Sequence, residues 1–170
     1  MRKLLPYLFI ILFPYAIGFL LCALLHPPLM KYLFQNNIYL GLFFLCLFWL
    51  LALLSAVTAC IHHLACRRDA AELARINLLI KLVQIPAYLF IFAAGLVCML
   101  TIFTIGISFL LMILDGASIL LSGFVGISAV KRSHAQGLIS TAEMVLHGIL
   151  QFVFCADIFS AIFLFRKTKQ

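Results

Sequence analysis

The sequence predicts an all-α fold, a polytopic transmembrane helix bundle of about five helices, and three observations carry that expectation. The chain has 170 residues, of which 66% are hydrophobic and only 10% charged, with a mean hydropathy of +1.24. Soluble domains average about 45–50% apolar and about 25% charged residues, so this composition belongs to a chain whose solvent is largely lipid. The second observation is the stretch Leu73–Val130, whose only interior charges are Arg75, Lys81 and Asp115. One crossing takes roughly 20 residues, so this stretch holds two helices joined by a tight turn near Thr101–Gly106. Third, the basic residues stand in short clusters beside apolar runs, as in the cytoplasmic loops of membrane proteins.

The elements follow in order, as one integral membrane domain over residues 1–170. A first helix is expected over about 4–25, with a kink at Pro14. Its apolar run exceeds the 7–15 residues of a signal-peptide core and no small-x-small site follows, so it reads as a retained helix. Pro27-Pro28 stops it, and the connection His26–Asn37 carries the single base Lys31. A second helix over about 38–61 carries no charge and has Trp49 near its centre. Neither helix shows a polar stripe, which predicts a lipid-facing jacket.

Asp69 and Glu72 fit an N-cap and its capping-box partner, so the third helix, about 70–100, begins near Ala70 in water. Asn77, Lys81, Gln84 and Tyr88 fall within an arc of about 60° at 100° per residue. The fourth helix, about 107–130, gathers Ser108, Asp115, Ser118, Ser122 and Gly126 within about 80°. Its Ser118-x3-Ser122-x3-Gly126 spacing is a small-residue face for close helix packing. After a loop, Lys131–Ser140, a fifth helix over about 141–165 carries Glu143, His147, Gln151 and Asp157 across about 120°.

With the N-terminus cytoplasmic, Arg2, Lys3, Arg67, Arg68, Arg75, Lys131 and Arg132 fall inside. Lys31, Arg166, Lys167 and Lys169 fall outside, and the basic tail on that side is the weak point of five crossings. The alternative is four crossings plus a re-entrant last helix, which returns the tail to the cytoplasm.

A charge at the bilayer centre costs on the order of 2.5–3.5 kcal/mol on insertion scales, so Lys81, Asp115 and Asp157 need partners or a role. Asp115 and Asp157 are expected at one depth with no base beside them, which makes them the proton- or cation-site candidates. The bland reading is a pair of neutral acids locking two helices. Nearer the cytoplasm, Asn77, Lys81 and Gln84 are expected opposite Glu143, His147 and Gln151. The expectation is that Lys81 reaches toward the interface to pair with Glu143; the alternative is that Lys81 and His147 relay protons or contact an anionic substrate.

Cys60, His62, His63 and Cys66 form a C-x-H-H-x2-C pattern, but its spacing fits no standard zinc site and interfacial histidines are expected instead. The six cysteines read as small buried hydrophobes. Of the small-x-serine steps, Ser108 has no histidine at its depth, and Ser128 shares the inner side with His147 only as any two helices could; no zinc-protease, P-loop or dinucleotide fingerprint occurs. No catalytic residue, metal site or cofactor is therefore expected.

The segments ELARINLLIKLVQIPAYLFIF (Glu72–Phe92) and HGILQFVFCADIFSAIFLFRK (His147–Lys167) resemble a family of small uncharacterised multi-pass membrane proteins of Gram-positive bacteria. That resemblance implies a bacterial membrane protein and brings no functional residues. The expected function is a small non-enzymatic protein of the cell membrane, an accessory subunit of a membrane complex. The alternative is a proton- or cation-coupled small transporter using Asp115 and Asp157. Its partners are the lipid bilayer and another membrane protein or a second copy of itself, and the clustered charge does not point to nucleic acid.

Overall fold

A computed structural model describes residues 6–65, 68–100 and 102–169, without the side chains of residues 64 and 65. Arg2, Lys3, Cys66 and Arg67 lie outside the described residues, and with them part of the charge count and of the cysteine–histidine pattern.

The described residues form α1 (Leu8–Leu25), α2 (Pro27–Phe34), α3 (Ile38–Ala65), α4 (Ala70–Met99), α5 (Ile105–Ala135), α6 (Thr141–Leu150) and α7 (Ala156–Lys167). Among them α1, α3, α4 and α5 are long and apolar enough to cross a membrane. The chain is all-helical, as the composition predicts, and compatible with a multi-pass membrane protein.

The expected connection after α1 is itself a helix. Pro27 and Pro28 occupy the first turn of α2, where a missing N–H costs nothing. That helix stops at Gln35 and Asn36, both at positive φ, and the Asn37 side chain then accepts from the backbone N–H groups of Tyr39 and Leu40 to start α3.

The jacket expectation is half corrected. Leu42, Phe43, Leu50 and Leu54 are exposed, so α3 does face outward. Its small residues Ala52, Ala56 and Ala59 are buried in the core it shares with α1, α4 and α5. α1, by contrast, buries Ile10, Phe13 and Ile17 in the main core against α4 and α5. The proline kinks explain why a helix without polar side chains belongs there. Pro14 leaves the Ile10 carbonyl without its helical donor, and Gln84 Nε2 of α4 supplies one at 2.8 Å. Near the Pro86 kink of α4, the Tyr15 hydroxyl of α1 donates to the Val83 carbonyl.

α4 begins at Ala70 as expected, but its cap differs. The Asp69 side chain does not cap the helix. Gln136, from beyond α5, accepts from the Ala70 N–H and donates to the Asp69 carboxylate instead. The tight turn to α5 is held by Thr104 donating to the Cys98 carbonyl and Ser108 donating to that of Gly95. α5 continues to Ala135, so the expected loop from Lys131 is helical for its first half. At 1.5 Å per residue α5 is roughly 46 Å long, more than the roughly 30 Å of a hydrocarbon core.

The largest correction is the fifth helix. The expected single helix over 141–165 is broken after Leu150 and restarts at Ala156. Between them the Phe154 carbonyl accepts from the Ala156 N–H at 2.8 Å, and Cys155 takes φ +62°, ψ −38°, a γ-turn geometry. α6 and α7 then lie antiparallel, because their paired residues rise on one and fall on the other. Glu143 meets Lys167, His147 meets Phe163 and Ser160, and Gln151 meets Ser160. Each arm is roughly 15–18 Å long, about half a hydrocarbon core, so the pair forms a hairpin rather than one crossing. α7 packs on α4, and both arms touch α5.

Candidate functional site

α5 receives the hairpin through its small face. Ser118, Ser122 and Gly126 are buried. A Cβ on Gly126 would sit 2.9 Å from Gln151 Cγ, and one on Gly123 would sit 2.5 Å from the Phe152 ring. The expected small-residue face therefore does bring helices together, with Gly123 added to it. Close approach carries Gln151 and Asp157, either side of the turn, into the interior.

At the hairpin turn Lys81 Nζ and Asp157 Oδ2 form an ion pair at 2.7 Å, with the two side chains 0% and 1% exposed. Lys81 also donates to Ser122 Oγ at 3.4 Å. Asp157 is the second residue of α7, so its carboxylate stands at a helix N-terminus, where the free N–H groups favour negative charge. The ion pair overturns two expectations. Lys81 does not lie toward the opposite surface from Asp157, and it does not pair with Glu143. The reason is the break: a straight helix would carry Asp157 well past Lys81, whereas the hairpin turns back and presents it to α4.

Asp115 stands apart from that pair. No hydrogen bond joins the two acids among the described residues. Asp115 is partly buried, its Oδ1 is enclosed and meets no hydrogen-bond donor, and it borders a cavity of about 160 Å³ with Gly95 and Ser108 between α4 and α5. The paired-acid lock is thus replaced by a Lys–Asp pair with a second acid nearby.

The inner polar layer separates into three groups. Asn77 Nδ2 donates to Gln151 Oε1 at 3.4 Å, and Gln151 Nε2 donates to Ser160 Oγ at 3.1 Å. His147 Nδ1 joins the same hydroxyl at 3.0 Å, with its ring stacked on Phe163 at 4.4 Å between centroids. Gln84 belongs elsewhere, holding the Ile10 carbonyl and accepting from the Tyr88 hydroxyl. Glu143 sits at the hairpin mouth, where Ser140 and Glu143 form a reciprocal capping box and Lys167 approaches to 3.3 Å. The Ser140 N–H, then Lys167, hold the Glu143 carboxyl below the usual range.

Sequence reasoning missed Ser160, whose hydroxyl joins both arms. Its signal is the i, i+3 spacing from Asp157, which puts both on one face of α7. Of the cysteine–histidine pattern, His63 turns inward to hydrogen-bond and stack with Tyr7, and Cys60 accepts from Ser128 at 3.4 Å. Among the described residues no three metal-ligating side chains converge.

The chain belongs to a family of unknown function, DUF6652, whose model matches residues 3–170. No curated protein and no solved structure matches it.

Proposed function

We propose that the protein is a small, non-enzymatic, multi-pass protein of the bacterial cell membrane that couples a proton or a small cation to its hairpin core. The observation that carries this reading is the Lys81–Asp157 pair, buried at the turn of a broken helix. Ionisable groups at membrane depth are costly, and broken helices whose ends meet near mid-depth commonly build ion and substrate sites. The second acid, Asp115, leaves this core with one carboxylate more than Lys81 neutralises. A re-entrant hairpin also suits the charge pattern. It returns Arg166, Lys167 and Lys169 to the side of Arg68, Arg75, Lys131 and Arg132, and leaves Lys31 alone on the other.

The test is reconstitution into liposomes carrying an internal pH dye, with an imposed proton or sodium gradient. Gradient-driven proton movement that is lost in Asp157→Asn supports the reading. Wild-type vesicles no leakier than empty ones to protons and to sodium would overturn it.

A second reading is an accessory subunit, favoured by the charge-free α3, whose exposed Leu42, Phe43, Leu50 and Leu54 offer apolar surface to another membrane helix. Silent liposomes together with a stoichiometric second membrane protein in a mild-detergent purification would select it.

A further inference from the structure

We infer that the α6–α7 hairpin carries the proton entry path to the Lys81–Asp157 pair, with His147 as its proton-accepting group and Ser160 as the relay. This rests on the proton-coupled reading above and names the side and the residues through which the core is reached.

The argument starts from the hydroxyl of Ser160, which is 1% exposed. Its own proton is directed at the His147 carbonyl, 3.5 Å away. Its oxygen accepts from Gln151 Nε2. The remaining lone pair faces His147 Nδ1 at 3.0 Å, so Nδ1 carries the proton of the neutral ring. That tautomer leaves Nε2 as the basic nitrogen. His147 is buried to 8% exposure one helical turn inside the hairpin mouth, and stacking on Phe163 fixes its ring. The charged groups around it are Glu143 on its own helix and Lys167 on α7, paired with each other at the mouth. The groups around Asp157 are Lys81 and Tyr88 of α4 and Asp115 of α5.

The step balances without a co-reactant. A solvent proton adds at His147 Nε2, the Ser160 hydroxyl turns from the His147 carbonyl and gives its own proton toward Asp157, and the Nδ1 proton replaces it on Oγ. Ser160 and Asp157 stand one turn apart on one face of α7, and the path takes one bridging water between them as part of the proposal. Asp157 becomes a neutral acid, and the Lys81 ammonium loses its counter-charge. Asn77 sits one turn before Lys81 on α4, is wholly buried, and has an Oδ1 without a donor, which gives the path a further acceptor beside the ion pair.

The experiment is a pH jump on protein reconstituted in liposomes, followed by the infrared carboxyl stretch, with Asp157→Asn identifying the band. His147→Gln keeps hydrogen-bonding capacity but cannot titrate, and Ser160→Ala removes the relay. Each should slow protonation of Asp157 by at least about tenfold while leaving its final extent unchanged, a size within the range of positioned acid–base groups. Ser160→Thr, which keeps the hydroxyl, should restore the wild-type rate. Wild-type rates in both His147→Gln and Ser160→Ala would overturn the path and leave the core reading intact. A changed final extent in both would make them structural and overturn it too. No Asp157 protonation in the wild type would remove the core reading and the path together.

Discussion

Gln84 Nε2 donates to the carbonyl of Ile10, the one backbone acceptor that Pro14 deprives of a helical partner. The bond is 2.8 Å long and Gln84 is wholly buried. It turns a kink in α1 into a contact between α1 and α4. Gln84→Leu should therefore cost about 1–3 kcal/mol, the penalty for an unsatisfied buried carbonyl. Pro14→Ala restores a backbone N–H four residues from Ile10, so the double variant should recover most of that loss. The remainder reflects the Tyr88 hydroxyl, which donates to Gln84 Oε1. A double-mutant cycle by thermal unfolding in detergent measures the coupling. Additive losses would mean that the bond does not serve the kink.

The long helices, the start of α4 and the polar faces of α4 and α5 were legible in the sequence, because each rests on local composition and periodicity. The hairpin was not. No proline or glycine lies between Gln151 and Cys155, so the break has no local signal. It is set by pairs far apart in sequence, Glu143 with Lys167 and Asn77 with Gln151. A straight rod over 141–165 puts Asp157 beyond the reach of Lys81, and nothing local in the sequence bends it. The one clue was the basic tail, which five crossings place on the wrong side. Gln84 was misread for a different reason: its partner is a carbonyl, and side-chain patterns do not show which carbonyls are free.

A topological outcome follows from the hairpin. Reporters fused at the N-terminus, in the segment 136–140 and after Gln170 should all read the same, cytoplasmic side. An insertion in α2, beside Lys31, should read the opposite side. Five full crossings would instead place the C-terminal reporter with Lys31. Activity of paired reporters that work on only one side of the membrane decides between them.

Cys155 holds the turn of the hairpin at φ +62°, where a side chain is strained. It is exposed and its thiol is free. Cys155→Gly removes the steric cost and should raise stability by on the order of 1 kcal/mol, and with it the unfolding midpoint. Cys155→Val, with a branched Cβ, should lower it. Thermal melts of the two variants in detergent check the order, and a glycine variant less stable than valine would mean that the turn relaxes to another geometry.

The ion pair makes the sharpest prediction about stability. Lys81 and Asp157 have left water entirely, and their mutual attraction offsets a large desolvation cost. Removing one partner strands the other, so Lys81→Met or Asp157→Leu alone should cost about 3–5 kcal/mol. Removing both replaces the pair by apolar side chains that suit the surroundings, and the double variant should unfold close to the wild type. Ser122→Leu should also be costly, since Ser122 is wholly buried and accepts from Lys81, whereas Leu120→Phe on the exposed face should be nearly neutral. Unfolding in mixed detergent measures all of these. The double variant also separates stability from coupling. If Lys81 and Asp157 serve only to lock the hairpin, Lys81→Met with Asp157→Leu should retain whatever ion movement the wild type shows in liposomes. If they are the coupling site, the same well-folded variant should be silent.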